Sequence, residues 1–226
     1  MSRLRVFTAA AVSLLVGTGA QAAIILHANL NDASENPPTV PTLTTGAPRP
    51  ASLGTADFVL NDARTAMSFT ATIFNVDFTG SQTSDVNDNL IAAHIHASPT
   101  AGLTAPNAPV VWGFFGSPFN DTNSPTAALL SDCTPFSTGV GGTCAGTWDL
   151  NEGNGVVSPG VPVTLTNQLS NILSGHSYIN FHTTQFPGGE LRGFLAVSEP
   201  SSLALLGVAA FGLFAFVSRR GVSPRS

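Results

Sequence analysis

The middle of this chain is written in short bursts of apolar residues that alternate with polar or small ones. Leu26, Ala28 and Leu30 alternate with His27 and Asn29, and Phe69, Ala71 and Ile73 alternate with Thr70 and Thr72. Ile91, Ala93 and Ile95 alternate in the same way with Ala92, His94 and His96. A two-residue period sends successive side chains to opposite faces, so each burst predicts a strand. Further strands are predicted over Thr55–Leu60, Val110–Phe115, Tyr178–Thr183 and Leu191–Val197, separated by turns rich in Gly, Pro, Asn and Ser. One stretch departs from the period. Leu165, Leu169, Ile172 and Leu173 recur at helical spacing, with Gly175 placed to stop a short crossover helix. Pro37–Pro50 and Ser117–Pro125 read as loops by composition. The expected fold is all-β, an antiparallel β-sandwich or barrel with one short helix.

The two ends follow other rules. Arg3 and Arg5, the apolar run Val6–Val16 and Ala20-Gln21-Ala22 make a signal peptide over residues 1–22, with cleavage before Ala23. At the other end, residues 198–226 hold Glu199-Pro200-Ser201-Ser202, an apolar run from Leu203 to Val217, and Arg219-Arg220. At 1.5 Å per residue the run covers roughly 22 Å, short of the hydrocarbon core unless its basic end snorkels. Arginines directly after it hold that end in the cytoplasm and leave the bulk of the chain outside. The span 23–197 remains as one β domain.

Charge narrows the function classes. Residues 23–197 carry three arginines against nine Asp and three Glu, a net −9, and the whole chain has no lysine. Such a surface repels phosphate backbones, which excludes nucleic acid as a partner, and Schiff-base chemistry has no residue to use. Cys133 and Cys144, the only cysteines, lie in the exported part and predict a disulfide closing a small loop. A pair of zinc ligands would need closer C-x-x-C spacing.

The C-terminal order of Glu199-Pro200, apolar run and Arg219-Arg220 resembles the PEP-CTERM sorting signal, with Ser198 where the family usually has Pro. The resemblance implies a transient membrane anchor and processing by an exosortase-type enzyme. Delivery to the cell surface or an extracellular polysaccharide matrix would follow. Three further stretches together resemble a CHRD (chordin-type) domain. They are Leu30–Pro38 with its Glu35-Asn36-Pro37-Pro38, Ala93-His94-Ile95-His96, and Tyr178-Ile179-Asn180-Phe181-His182-Thr183 followed by Pro187-Gly188-Gly189-Glu190-Leu191-Arg192-Gly193. The Cys133–Cys144 loop looks like an insertion outside that pattern. The resemblance implies a fold and no established activity, so a non-enzymatic structural or adhesive role is the first expectation.

The residues suggest a second reading, an exported Cu or Zn protein. His94 and His96 project from one face of a strand, and neutral imidazole pairs suit those metals. His182 shares a face with Asn180, and the Pro187-Gly188-Gly189 turn brings Glu190 back, so His94, His96, His182 and Glu190 are expected to converge. The H-x-H pair on a strand resembles copper–zinc superoxide dismutases without the rest of their ligand set, which leaves a metal-dependent oxidoreductase a minor alternative. The competing reading is a structural polar cluster, with Glu190 paired to Arg192 or to a histidine. Asp85–Asn89 resembles half a calcium loop, but Leu90 and His96 occupy the positions of its Gly and final Glu, so it reads as an acidic turn.

Overall fold

The computed structural model describes residues 22–101, 107–124, 130–155 and 163–198. Residues 1–21 of the expected signal peptide and residues 199–226 of the sorting tail, including Glu199, Pro200, Arg219 and Arg220, lie outside these residues. Among the described residues no helix is long and apolar enough to cross a membrane.

Ten antiparallel strands form one sheet: β1 (Ile24–Asn31), β2 (Leu53–Leu60), β3 (Ala66–Phe74), β4 (Leu90–Ala97), β5 (Val110–Gly116), β6 (Cys133–Pro135), β7 (Gly141–Asp149), β8 (Ser177–Thr183), β9 (Leu191–Phe194) and β10 (Ala196–Val197). Their order is β5-β4-β8-β9-β1-β2-β3-β7-β6, with β10 pairing β1. The two ends of this order meet. Phe115 bridges Ser131, Gly116 N donates to Leu130 O (2.8 Å), and Asp132 N donates to Phe114 O (3.0 Å). The result is a nearly closed barrel, which leaves little free sheet edge.

Period-2 alternation builds the core. Leu26, Ala28, Leu30, Phe58, Phe69, Ile73, Ile95, Ile179 and Phe181 all face inward and are buried. Trp112 stacks on Trp148 at 5.8 Å, and Phe69 packs edge-on against Trp112 and tilted against Phe114. The helix α1 (Leu165–Leu173) inserts Leu165 and Ile172 into this core, and Leu173 stays 37% exposed at the rim. Gly175 terminates it with φ +76°, a left-handed conformation that suits glycine.

The expected strand Leu191–Val197 is broken at Leu195 into β9 and β10, and two strands are not expected from the sequence at all. β6 and β7 fall in a Gly- and Thr-rich stretch with too few apolar residues to signal strands. Yet β7 pairs with β3 from Ala66↔Asp149 to Phe74↔Gly141, and is an integral barrel strand. The cysteine loop is therefore no simple insertion. It is the β6–β7 hairpin, in which Cys133 and Cys144 are direct cross-strand partners joined by a disulfide.

Candidate functional site

In β4 and β8 alternation ends, because both faces are covered. Every residue from Ala92 to Ala97 and from Ser177 to Thr183 is buried. One face is the apolar core. The other carries His94 and His96 from β4 and Tyr178, Asn180 and His182 from β8. Register sets Ala92 against His182, His94 against Asn180 and His96 against Tyr178. His182 and His96 thus sit diagonally on either side of the His94–Asn180 pair. Register shifts between Ala93/His94 and Ile95/His96 mark bulges on the β5 side, which re-aim both histidines.

Each imidazole is oriented by a backbone carbonyl. His94 Nε2 lies 3.2 Å from Ser117 O, His96 Nδ1 2.8 Å from Ala108 O, and His182 Nδ1 3.0 Å from Pro187 O. A carbonyl only accepts, so each of these nitrogens must carry the proton. In the neutral rings this leaves lone pairs on His94 Nδ1, His96 Nε2 and His182 Nε2. The group brings one nitrogen from each of the three histidines together within 4.8 Å. His94 Nδ1 and His182 Nε2 are 3.2 Å apart, and His96 Nε2 is buried with no partner.

Glycine permits this packing. A Cβ at Gly113, opposite His94, would stand 1.8 Å from Pro118 O and 3.0 Å from His94 Cδ2. Only glycine there lets the 117–118 segment close over the histidine and present its carbonyl.

The three histidines are 5–7% exposed. Burial pushes His94 down to about 3, with the charge of His182 adding to it, and pushes His96 down to about 3 as well. His182 is lowered too, by burial first and then by the Arg192 guanidinium. All three are therefore neutral across the physiological range, the state a metal ligand requires.

Glu190 is placed elsewhere. Its carboxylate accepts from Arg49 Nη2, from Ser52 Oγ and from Thr183 Oγ1 (2.6 Å). Thr183 follows His182 on β8, and neighbours on a strand face opposite ways, so this contact carries the carboxylate away from the imidazoles. The structure thus brings His94, His96 and His182 together and places Glu190 apart from them. Neither expected partner of Glu190 is used either. Arg192 pairs with Glu35 and lies 4.0 Å over the Tyr178 ring. Sequence reading missed Arg49 because it sits in a proline-rich loop, and the only signal available was that a lysine-free chain has few cations to pair with its buried acids. Asp85 accepts from Thr44 and from Asn87 N, as an acidic turn does.

The three motifs thus meet around one buried face: Glu35 on Arg192, Arg192 on Tyr178, and Asn180 among the histidines. Residues 196–220 match the PEP-CTERM protein-sorting motif, which marks an exported protein, transiently membrane-anchored and processed by exosortase-type machinery. No curated protein and no solved structure matches the chain. Residues 26–195 match the CHRD domain, from within β1 to the residue before β10. That match covers well over half of the 226 residues, and the chain belongs to the CHRD domain family.

Proposed function

We propose that the protein is an exported, non-enzymatic domain that holds one borderline divalent metal ion, Zn²⁺ or Cu²⁺, on His94, His96 and His182. The observation that carries this reading is that one nitrogen from each of three buried histidines lies within 4.8 Å of the others, while each ring is also held by a carbonyl. Carbonyl-oriented histidine is the usual second shell of a metal ligand. Two lone pairs 3.2 Å apart repel each other unless a cation lies between them. At a metal–nitrogen distance of about 2.0–2.1 Å, tetrahedral ligands stand about 3.3 Å apart, which matches the His94–His182 spacing, and the wider separations in the group, up to 4.8 Å, would close by about an ångström as the ion binds. A shared proton is a poor substitute, because burial disfavours the charged ring.

Enclosure favours a structural ion. The metal would tie β4 to β8, and through the second-shell carbonyls it would tie in the segments at Ala108, Ser117 and Pro187. Such a cross-linked domain suits a structural or adhesive role at the cell surface or in an extracellular matrix, a reading that the export implied by the sorting motif supports. Calorimetric titration with Zn²⁺ and Cu²⁺ tests the reading. Chelator-treated wild type should show one saturable site and His94→Ala none. His27→Ala should bind as wild type, because His27 is half-buried on β1 and pairs with Asp57. A wild type with no site tighter than about millimolar removes the proposal.

A further inference from the structure

Asn180 is the one residue of the histidine face whose side chain has nothing to do. It is 1% exposed, and neither Oδ1 nor Nδ2 has a hydrogen-bond partner. Buried carboxamides are almost always satisfied, so an Asn with both ends free marks a missing partner. Register puts it directly opposite His94, with His182 two residues further along the same face of β8. It therefore lies on the same face as the three imidazoles, beside His94, where sequence reasoning places Glu190.

A second orphan lies beside it. Glu35 Oε2 is buried without a partner, while Glu35 Oε1 is held by Arg192. A Cβ built on Gly189 would be 2.6 Å from both Asn180 Nδ2 and Glu35 Oε2 and 2.9 Å from Asn180 Oδ1, so the carboxamide lies edge-on beneath that glycine with Glu35 Oε2 beside it. Gly189 has φ +128°, and its missing side chain is what lets the turn lie over the pair. Oriented with Nδ2 toward Glu35, a donor faces a free acceptor and Oδ1 is left for the cation.

We propose that Asn180 Oδ1 is the fourth ligand of the metal, closing a His₃–carboxamide site that Arg192 and Glu35 hold in place through Nδ2. This inference rests on the metal reading above and adds to it that the site has no exchangeable water position. Carboxamide oxygen is a weaker donor than imidazole, so three nitrogens and one such oxygen suit Zn²⁺, Cu²⁺ or the probe ion Co²⁺.

Co²⁺-substituted protein tests it through visible d–d absorption. Wild type should give the intense bands of four-coordinate Co²⁺, and added azide should leave them unchanged because no bound water is there to displace. Asn180→Ala should bind Co²⁺ and Zn²⁺ about 10–100-fold more weakly, and its bands should now shift with azide. Asn180→Asp, close to isosteric, should bind at least as tightly as wild type with displaced bands. Azide-sensitive wild-type bands overturn the assignment of Asn180, as do unchanged affinity and spectrum in Asn180→Ala or unchanged bands in Asn180→Asp. Those results leave the three-histidine reading standing. A wild type that takes up neither Co²⁺ nor Zn²⁺ removes both.

Discussion

Replacing Glu190 by Gln removes one negative charge from the least accessible ion pair of the described structure and keeps the side chain's shape. Glu190 is fully buried and Arg49 is 8% exposed. Beyond Glu190, the hydrogen-bond partners of Arg49 are neutral, since its Nη1 donates to Ser52 Oγ (3.2 Å) and Asn75 O (3.1 Å), and Asp85 and Asp88 reach its charge only from a distance. A Gln can keep its oxygen toward Arg49 and Thr183 while Ser52 rotates to accept from the new amide. Hydrogen bonding then survives, and the loss is the close countercharge of the guanidinium, which Asp85 and Asp88 replace only in part. Breaking one side of a buried pair costs about 3–5 kcal/mol, a large part of the roughly 5–15 kcal/mol that stabilises a domain. Arg49→Met should cost a similar amount by stranding the carboxylate. The double variant removes both charges and should cost clearly less than the two single changes together. Urea unfolding followed by fluorescence measures all three, since Trp112 and Trp148 are both buried in the core. In the same samples, metal stoichiometry should be unaffected by Glu190→Gln. Single variants within about 1 kcal/mol of wild type, or strict additivity, would refute the argument, and loss of metal would return Glu190 to the site.

Burial, with Asp121 and Glu152 nearby, pushes the Asp132 carboxyl up to about 7. Between pH 4 and 7 the folded protein therefore holds a proton that the unfolded chain releases, and stability from this group is lost as pH rises through 7. Wild type should lose thermal stability relative to Asp132→Asn between pH 5 and pH 8, and parallel melting profiles would contradict this. Replacing both Cys133 and Cys144 by Ser should destabilise by about 2–3 kcal/mol in urea, for a loop with a sequence separation of 11. A loss near zero would mean that the hairpin forms in the unfolded chain without the bond. Mass spectrometry of the native protein should find it starting at Ala23 and lacking Leu203–Val217, and a mature form that keeps the apolar run would exclude exosortase-type processing.

Alternating apolar positions made most of the barrel strands legible, because the barrel has one dry face and a simple period encodes it, and helical spacing in place of that period made the helix legible. β7 escaped because its small residues, Gly141 to Gly146, signal turns. In the barrel they allow close approach, and a Cβ at Gly142 would meet Phe78 at 2.5 Å. The histidine face was legible in part. An H-x-H spacing on one strand fixes two side chains on one face, and His182 follows if β8 is the neighbour. Register between β4 and β8 is a tertiary fact, and without it nothing singles out Asn180 over Glu190. Partner choice among few cations is tertiary as well. Arg49 reaches Glu190 across 141 positions of sequence and Arg192 reaches Glu35 across 157.

The central claim concerns what occupies the space between His94, His96 and His182 in the native molecule. Elemental analysis of protein isolated from its native compartment, without chelators or affinity metals, measures this directly. About one equivalent of zinc or copper per chain is expected, lost when His96→Ala is prepared in the same way. Wild type with less than about a tenth of an equivalent of any transition metal, matched by His96→Ala, would contradict the account and leave the face a polar cluster.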